Sequence, residues 1–195
     1  MLASLSLGPP PLLQKLPHFP EIKDGLDTAL LATVEIYGKS GGGSGCIISG
    51  NGLILTNWHV VRNNAGFPSE NISVAVNLSP SVPPREVFKA SVVAYKKDKD
   101  LALLQITSGF YDTPIPESYA FPHFRLGDPG LLRIGDEIGL IGFPGIGGTG
   151  SRASVTFTRG IVSGFEKTAF GEFIKTDGQI SPGNSGGAAT NSNYH

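Results

Sequence analysis

Short runs of β-branched and apolar residues, each ended by a turn rich in glycine or proline, recur along most of this chain. The 195 residues include 27 glycines and 15 prolines, a usage typical of many short strands joined by tight turns. No long stripe of apolar residues at helical spacing interrupts the pattern. We therefore predict an all-β fold.

The strand-like runs fall into two clusters, 29–108 and 131–195. Residues 109–130, rich in proline and aromatic side chains, connect them, and a proline-rich arm, 1–28, precedes the first cluster. Two clusters of short strands predict a pair of antiparallel β-barrels or a β-sandwich. Within the first cluster, the run "SGCIISGNGLILTNWHVV", which begins at Ser44, predicts a hairpin around the turn "SGNG".

Composition argues against several kinds of partner. The formal net charge is −1, only 16% of the residues are charged and no block of Lys or Arg occurs, so binding to nucleic acid is not expected. No run approaches the roughly 18 apolar residues of a membrane span. The single cysteine, Cys46, cannot form an internal disulfide, and its apolar neighbours predict a small buried hydrophobic side chain.

The motif "GIGGTG", 145–150, matches G-x-G-x-x-G and raises the alternative of a dinucleotide-dependent oxidoreductase. That motif binds a cofactor only where a helix begins at once, whereas strand-like "SRASVTFTRG" follows here. A loop between strands is the better interpretation. The four histidines are far apart and none has ligand spacing with a cysteine or another histidine. Neither a metal nor a cofactor is expected.

One serine, Ser185, lies between small residues in "ISPGNSGG". A serine hydroxyl reacts only with a base to take its proton, an acid to orient that base and donors for the developing oxyanion. His59 suits the base, because it follows an apolar strand and precedes "VVRNN", a predicted helical turn. Either Asp98 or Asp100 suits the acid, with Asp100 slightly favoured by its place directly before a strand.

Read together, five segments resemble the chymotrypsin-like serine peptidases, and most closely their HtrA (high-temperature-requirement) branch. The resemblance runs from about residue 29 to residue 187. The segments stand in the order that the family has: "GSGCIISGNGLILTNWHVV", "DLALLQI", "LRIGDEIGLIGFP", "TRGIVSG" and "FIKTDGQISPGNSGG".

The resemblance implies a mechanism and a fold. His59 matches the general base, Asp100 the carboxylate that holds its tautomer and Ser185 the nucleophile, with the amides of Gly183, Ser185 and Asn184 around the oxyanion. It further implies two six-stranded barrels with the triad in the cleft between them. Protein substrates, including unfolded ones, a trimeric assembly and a compartment outside the cytoplasm are also implied, although no clear signal peptide precedes the first strand.

The sequence departs from the family in two places. Only ten residues follow Ser185, whereas relatives continue with further strands and commonly a PDZ domain, so we expect an incomplete second barrel and no PDZ domain. Gln179, near the expected pocket floor, and its neighbour Ile180 are the candidate substrate-binding residues, and Gln179 leaves the side-chain preference open. A peptidase-like binding or scaffold protein with a silent triad is the alternative that the short tail permits.

Overall fold

A computed structural model of the chain describes residues 15–39, 41–79, 81–145, 154–169 and 171–195. The described residues form a mainly antiparallel β structure with two short helices. Helix α1 spans Gly25–Ala32 and helix α2 spans Trp58–Val61. The strands are β1 (Thr33–Gly38), β2 (Gly41–Ile47), β3 (Leu53–Thr56), β4 (Ile72–Val76), β5 (Arg85–Lys96), β6 (Leu101–Gly109), β7 (Glu137–Gly142), β8 (Thr156–Thr168), β9 (Gly171–Thr176) and β10 (Ala188–Thr190).

The first six strands form a closed barrel in the order β1-β2-β3-β6-β5-β4. In the antiparallel ladders of β1, Val34 pairs with Gly45 of β2 on one side and with Val76 of β4 on the other. Burial of one aliphatic side chain in such a core stabilises the fold by roughly 1.5–3 kcal/mol. Fully buried side chains fill the interior, among them Val34, Ile36, Ile54, Val74, Phe88 and Leu104.

The predicted hairpin between β2 and β3 is confirmed. Ser49 O accepts a hydrogen bond from the Gly52 amide at 3.1 Å, and the Ile48 amide donates to Leu53 O at 2.8 Å. The turn therefore contains "SGNG", as its composition predicted. Strand β3 ends at Thr56, and the chain enters α2 at Trp58 with Asn57 as the only residue between them.

The second unit is a four-stranded antiparallel sheet in the order β10-β7-β8-β9, and within the described residues it does not close. The prediction of an all-β fold with a closed first barrel and an incomplete second one is therefore confirmed. Several large apolar side chains on and beside this sheet are exposed: Leu126, Leu131, Ile134 and Phe173. Strands β1–β6 occupy 33–109 and β7–β10 occupy 137–190, whereas the finer domain limits given above stay predictions.

Helix α1 packs where the two units meet. Its Ala29 and Ala32 are buried in one cluster with Phe124, Ile141 and Phe143. The helix begins at Gly25, because the Asp24 side chain accepts from the Asp27 amide at 2.8 Å and caps the helix. Neither helix among the described residues is long and apolar enough to cross a bilayer.

Candidate active site

Two consecutive turns shape the loop that carries Ser185. In the first, Ser181 O accepts from the Asn184 amide at 3.1 Å, and in the second, Asn184 O accepts from the Gly187 amide at 2.8 Å. The third residue of each turn is a glycine with positive φ: Gly183 at 103° and Gly186 at 82°. A type II turn requires such a residue at that position and favours proline before it, as Pro182 provides. The two turns that present Ser185 therefore explain the glycines at positions 183 and 186.

The loop also lies too close to the first barrel for a side chain at Gly186. A Cβ there would overlap Ser44 O and Thr56 Oγ1 and would lie 3.1 Å from the Asn57 backbone nitrogen. Glycine therefore allows the loop to approach β2 and the end of β3 closely. The approach is fixed by a hydrogen bond of 2.7 Å from the Ser44 amide to Ser185 O.

His59 and Asp100 are brought together by two short elements. His59 is the second residue of α2, so the predicted helical turn includes the histidine and does not follow it. Asp100 ends a single 3₁₀ turn, Lys97–Lys99, in a left-handed conformation with φ 51°. Its Oδ2 lies 2.6 Å from His59 Nδ1, and its Oδ1 accepts from the His59 amide at 2.9 Å.

The backbone of Asp100 is held as firmly as its carboxylate. Asp100 O accepts from the Trp58 amide at 3.1 Å and from Asn57 Nδ2 at 2.8 Å. With the carboxylate ionised, the His59 ring carries its proton on Nδ1, which leaves Nε2 as an acceptor. The ring is thereby set in the tautomer that a general base needs.

Asp98, the other candidate acid, occupies the same 3₁₀ turn and is exposed. The two aspartates are two positions apart, but it is the carboxylate of Asp100 that contacts His59. The structure thus gives Asp100 the geometry expected of the orienting acid.

An aromatic stack supports this turn. Trp58 stacks on Tyr95 with ring centroids 4.2 Å apart and an interplanar angle of 20°. Lys97 Nζ lies 5.5 Å from the Trp58 ring centroid and 5.7 Å from that of Tyr95, and it donates to Gly66 O at 3.0 Å. These cation–π contacts join α2, β5 and the turn before Asp100.

The nucleophile loop and the histidine share neighbours on the first barrel. A Cβ on Gly43 would lie 2.9 Å from Ser185 O and 2.7 Å from Val60 Cγ2, so both segments that flank this glycine are in close contact with it. No hydrogen bond joins Ser185 Oγ to His59 within the part of the chain that the structure describes. Such a bond is often long without substrate and shortens in the reacting complex.

The three expected oxyanion donors are not equivalent. The Asn184 amide donates to Ser181 O and so closes the first turn, which removes it as a donor. The amides of Gly183 and Ser185 donate no backbone hydrogen bond among the described residues. Pro182 O accepts from the Gly145 amide at 2.8 Å. Because a trans peptide group directs its C=O and N–H oppositely, this bond points the Gly183 amide away from residue 145.

The candidate substrate-binding residues lie on the segment that leads into the loop. Both Gln179 and Ile180 are exposed, Ile180 by 64%. Thr158 Oγ1 donates to Gln179 O at 3.3 Å, and Asp177 Oδ1 accepts from the Ile161 amide at 2.7 Å. The segment is thus fastened along β8 while these two side chains face solvent.

Cys46 lies at the base of the loop. The residue keeps some exposed surface, but its side chain packs against the buried cluster that contains Ala29, Phe143 and Ala188. Its Sγ lies 3.6 Å from Gly186 O, a weak hydrogen bond. Burial raises the pKa of the Cys46 thiol to about 12, so the thiol is protonated at neutral pH and is a poor nucleophile.

The sequence has two further features to place, its four histidines and the "GIGGTG" motif. No group of three or more potential metal ligands occurs in the part of the chain that the structure covers. Apart from Gly145, the "GIGGTG" motif lies outside the described residues.

Sequence reasoning missed one polar residue of the site. Ser44 is fully buried in β2, and its Oγ donates to Gly183 O at 2.7 Å. The available signal was the pair of glycines beside it, Gly43 and Gly45, because glycine inside a strand often marks the close approach of another backbone.

The structure combines a closed six-stranded barrel with a second antiparallel sheet. The barrel carries a His–Asp pair, and a serine in a glycine-rich loop precedes the last strand of the sheet. Together these features define a trypsin-like fold. The trypsin-like peptidase domain family matches residues 43–194 of the chain.

Curated relatives and a solved structure agree with this match. The chloroplastic Protease Do-like 8 of Arabidopsis thaliana is 32% identical over 167 residues, which cover 81% of this chain and 34% of the relative. A probable periplasmic serine endoprotease DegP-like of Rickettsia prowazekii is 35% identical over 151 residues, or 76% of this chain and 26% of the relative. The solved structure "HtrA-type protease AlgWS227A with tripeptide" matches with a TM-score of 0.67 and 30% identity, over 88% of this chain and 50% of that one.

The chain therefore belongs to the trypsin-like peptidase domain family, and within it the chain is HtrA-like. It spans about a third or less of these two curated relatives and half of the solved chain.

Proposed function

We propose that this chain is a serine endopeptidase domain that hydrolyses peptide bonds of protein substrates through His59, Asp100 and Ser185. The observation that carries the proposal is the two-point contact between Asp100 and His59, through the ring nitrogen at 2.6 Å and the backbone amide at 2.9 Å. A bond through the ring alone would serve any buried histidine. The second bond holds the backbone of His59 against the same carboxylate, as is expected of an orienting acid.

The reaction proceeds in two halves. Ser185 Oγ attacks the carbonyl carbon of the scissile bond while its proton passes to His59 Nε2, and the amides of Gly183 and Ser185 hold the oxyanion. The C–N bond then breaks as His59 returns the proton to the leaving amine. Water attacks the resulting ester with His59 again as base, which releases the carboxylic acid and restores the Ser185 hydroxyl. Asp100 stays ionised throughout and stabilises the imidazolium.

The surface beside the nucleophile loop has room for a peptide substrate. Gln179 and Ile180 are exposed next to the turn that begins at Ser181, so an extended chain can lie against them. The structural neighbour is an HtrA-type protease with a tripeptide, and the curated relatives are named as proteases. We assign substrate contact to both side chains, with Ile180 offering apolar surface.

The compartment and the assembly of this chain are part of the proposal and rest on its resemblance to the HtrA branch. Because the curated relatives are named as chloroplastic and periplasmic proteins, we place this chain outside the cytoplasm or in an organelle. A trimeric assembly is part of the same proposal, and size-exclusion chromatography with light scattering measures it directly.

The test combines turnover with binding. Dye-labelled, chemically unfolded casein is mixed with the wild type and with Ser185→Ala, and both fluorescence release and anisotropy are recorded. The proposal predicts that both proteins bind and that only the wild type releases fluorescent fragments. A wild type that binds and releases nothing would overturn it and would support the silent binding protein. Equal release by both proteins would also overturn it, because the serine would then be irrelevant.

A further inference from the structure

Ser44 uses every polar group it has. Its Oγ donates to Gly183 O at 2.7 Å and accepts from the Phe143 amide at 3.0 Å. Its amide donates to Ser185 O at 2.7 Å, and its carbonyl accepts from Thr56 Oγ1 at 2.7 Å. The residue has no exposed surface, so none of these groups has water as a replacement partner.

Two of these four bonds end on the nucleophile loop, and they meet it on both sides of Asn184. The amide of Ser44 holds the carbonyl of the nucleophile itself, while the hydroxyl of Ser44 holds the carbonyl of Gly183. The bond from the Phe143 amide fixes the hydroxyl in turn, because it ties Ser44 Oγ to the residue that follows β7. One side chain thus links the first barrel, the second sheet and the loop.

Gly183 is the residue for which such a link matters. Glycine has no Cβ and populates a wide range of φ and ψ, so its amide direction is not set by its own sterics. The peptide group before Gly183 is fixed by the bond from the Gly145 amide to Pro182 O. The peptide group after it is fixed by Ser44 Oγ. With both flanking peptide planes anchored, φ and ψ of Gly183 are determined, and so is the direction of its N–H.

From this geometry we infer that Ser44 is a positioning residue that holds the Gly183 amide in the direction needed to bind an oxyanion. The inference rests on the proposed peptidase function. Ser44 acts through Gly183 and does not itself contact the substrate. Gly43 and Gly45 allow the approach, since a Cβ on Gly43 would lie 2.9 Å from Ser185 O.

The test compares Ser44→Ala with a control that loses a similar buried hydroxyl elsewhere. Thr33 is fully buried at the start of β1, and its Oγ1 donates to Ala29 O at 2.8 Å. Thr33→Val removes that bond with almost no change of shape. Both variants lose one bond from a hydroxyl to a carbonyl. Ser44→Ala also loses the bond from the Phe143 amide, keeps the backbone bond to Ser185 O, and alone frees the Gly183 carbonyl.

Three readouts are taken on each folded variant at matched temperature: the rate of acylation by p-nitrophenyl acetate, its apparent KM, and the low-field proton resonance of His59 Nδ1–H. For Ser44→Ala we expect acylation to fall about 10- to 100-fold with KM within about twofold and the His59 resonance unmoved. For Thr33→Val we expect acylation within about twofold of the wild type. Ser44→Cys, which retains a weak donor at the same place, should lie between the wild type and Ser44→Ala, and it replaces Ser44→Ala if the latter does not fold.

Each other result overturns the inference in a recognisable way. Acylation of Ser44→Ala at the wild-type rate would mean that Gly183 needs no anchor. An equal loss in Thr33→Val, or a shifted His59 resonance in Ser44→Ala, would mean that the loss reflects general loosening of the site. A wild type that is acylated no faster than Ser185→Ala would refute the proposed function itself. That comparison does not involve a Ser44 variant, so it is distinguishable from a failure of this inference.

Discussion

Replacing Asp100 by Asn tests the role of the orienting acid, because the two carboxylate oxygens have different partners. Oδ2 lies 2.6 Å from His59 Nδ1, and Oδ1 accepts from the His59 amide at 2.9 Å. An asparagine has one oxygen and one NH₂ group, so only one of these contacts can remain as it is.

The more stable arrangement keeps the oxygen on the backbone amide. The opposite rotamer would set the NH₂ group against the His59 N–H, two donors face to face, and would leave the amide unsatisfied at a cost of about 1–3 kcal/mol. In the favoured arrangement the NH₂ group donates to Nδ1, which moves the ring proton to Nε2. Nε2 is then unable to accept the proton of Ser185, and the reaction slows by about four orders of magnitude, or roughly 5.4 kcal/mol of activation free energy.

The assay is acylation by p-nitrophenyl acetate, corrected with Ser185→Ala for hydrolysis that does not involve the serine. Asp98→Asn is the matched control, because it makes the same chemical change two positions away on an exposed residue of the same turn. We expect Asp98→Asn to retain the wild-type rate within about twofold. The role assigned to Asp100 is refuted if Asp100→Asn keeps more than about a tenth of the wild-type rate, or if Asp98→Asn loses as much of that rate as Asp100→Asn does.

Two further predictions concern the loop and the thiol beneath it. Gly186→Ala should destabilise the protein by about 3 kcal/mol or more, because φ is positive there and a Cβ would overlap Ser44 O and Thr56 Oγ1. The control, Gly66→Ala, has φ 76° but open space around it, so it should cost only about 1–2 kcal/mol. Equal losses of unfolding free energy for the two variants in urea would contradict the overlap. Cys46 should react slowly with Ellman's reagent at pH 8 in the folded protein and rapidly in urea, since burial raises its pKa to about 12. Because the folded state then binds this proton more tightly than the unfolded state, stability should fall as pH rises above about 9, and Cys46→Ala should abolish that part of the decline.

Features encoded by neighbouring residues were predictable from the sequence. The hairpin at "SGNG" follows from turn composition. The glycines around Ser185 pointed to a special backbone, and the structure resolves it into two turns with Gly183 and Gly186 at positive φ. Helix α1 also has a local signal, because Asp24 precedes it and caps its first turn.

Features that depend on distant residues were not predictable. Ser44 Oγ contacts a carbonyl 139 positions further along the chain, and no local pattern specifies a partner at that separation. The Asn184 amide was expected to bind the oxyanion, but turn closure occupies it, and turn type depends on backbone angles that the composition only favours. The choice between Asp98 and Asp100 likewise needed the left-handed conformation that ends the 3₁₀ turn.

The measurement that tests the central claim most directly is the intact mass of the folded chain after treatment with a fluorophosphonate. If His59, Asp100 and the oxyanion donors activate the serine, the wild type gains the mass of one adduct, peptide mapping places it on Ser185, and Ser185→Ala gains nothing. The urea-unfolded wild type should also gain nothing, because an isolated serine hydroxyl is a poor nucleophile. A folded wild type whose mass stays unchanged would contradict the account and would leave a trypsin-like fold whose serine is not activated.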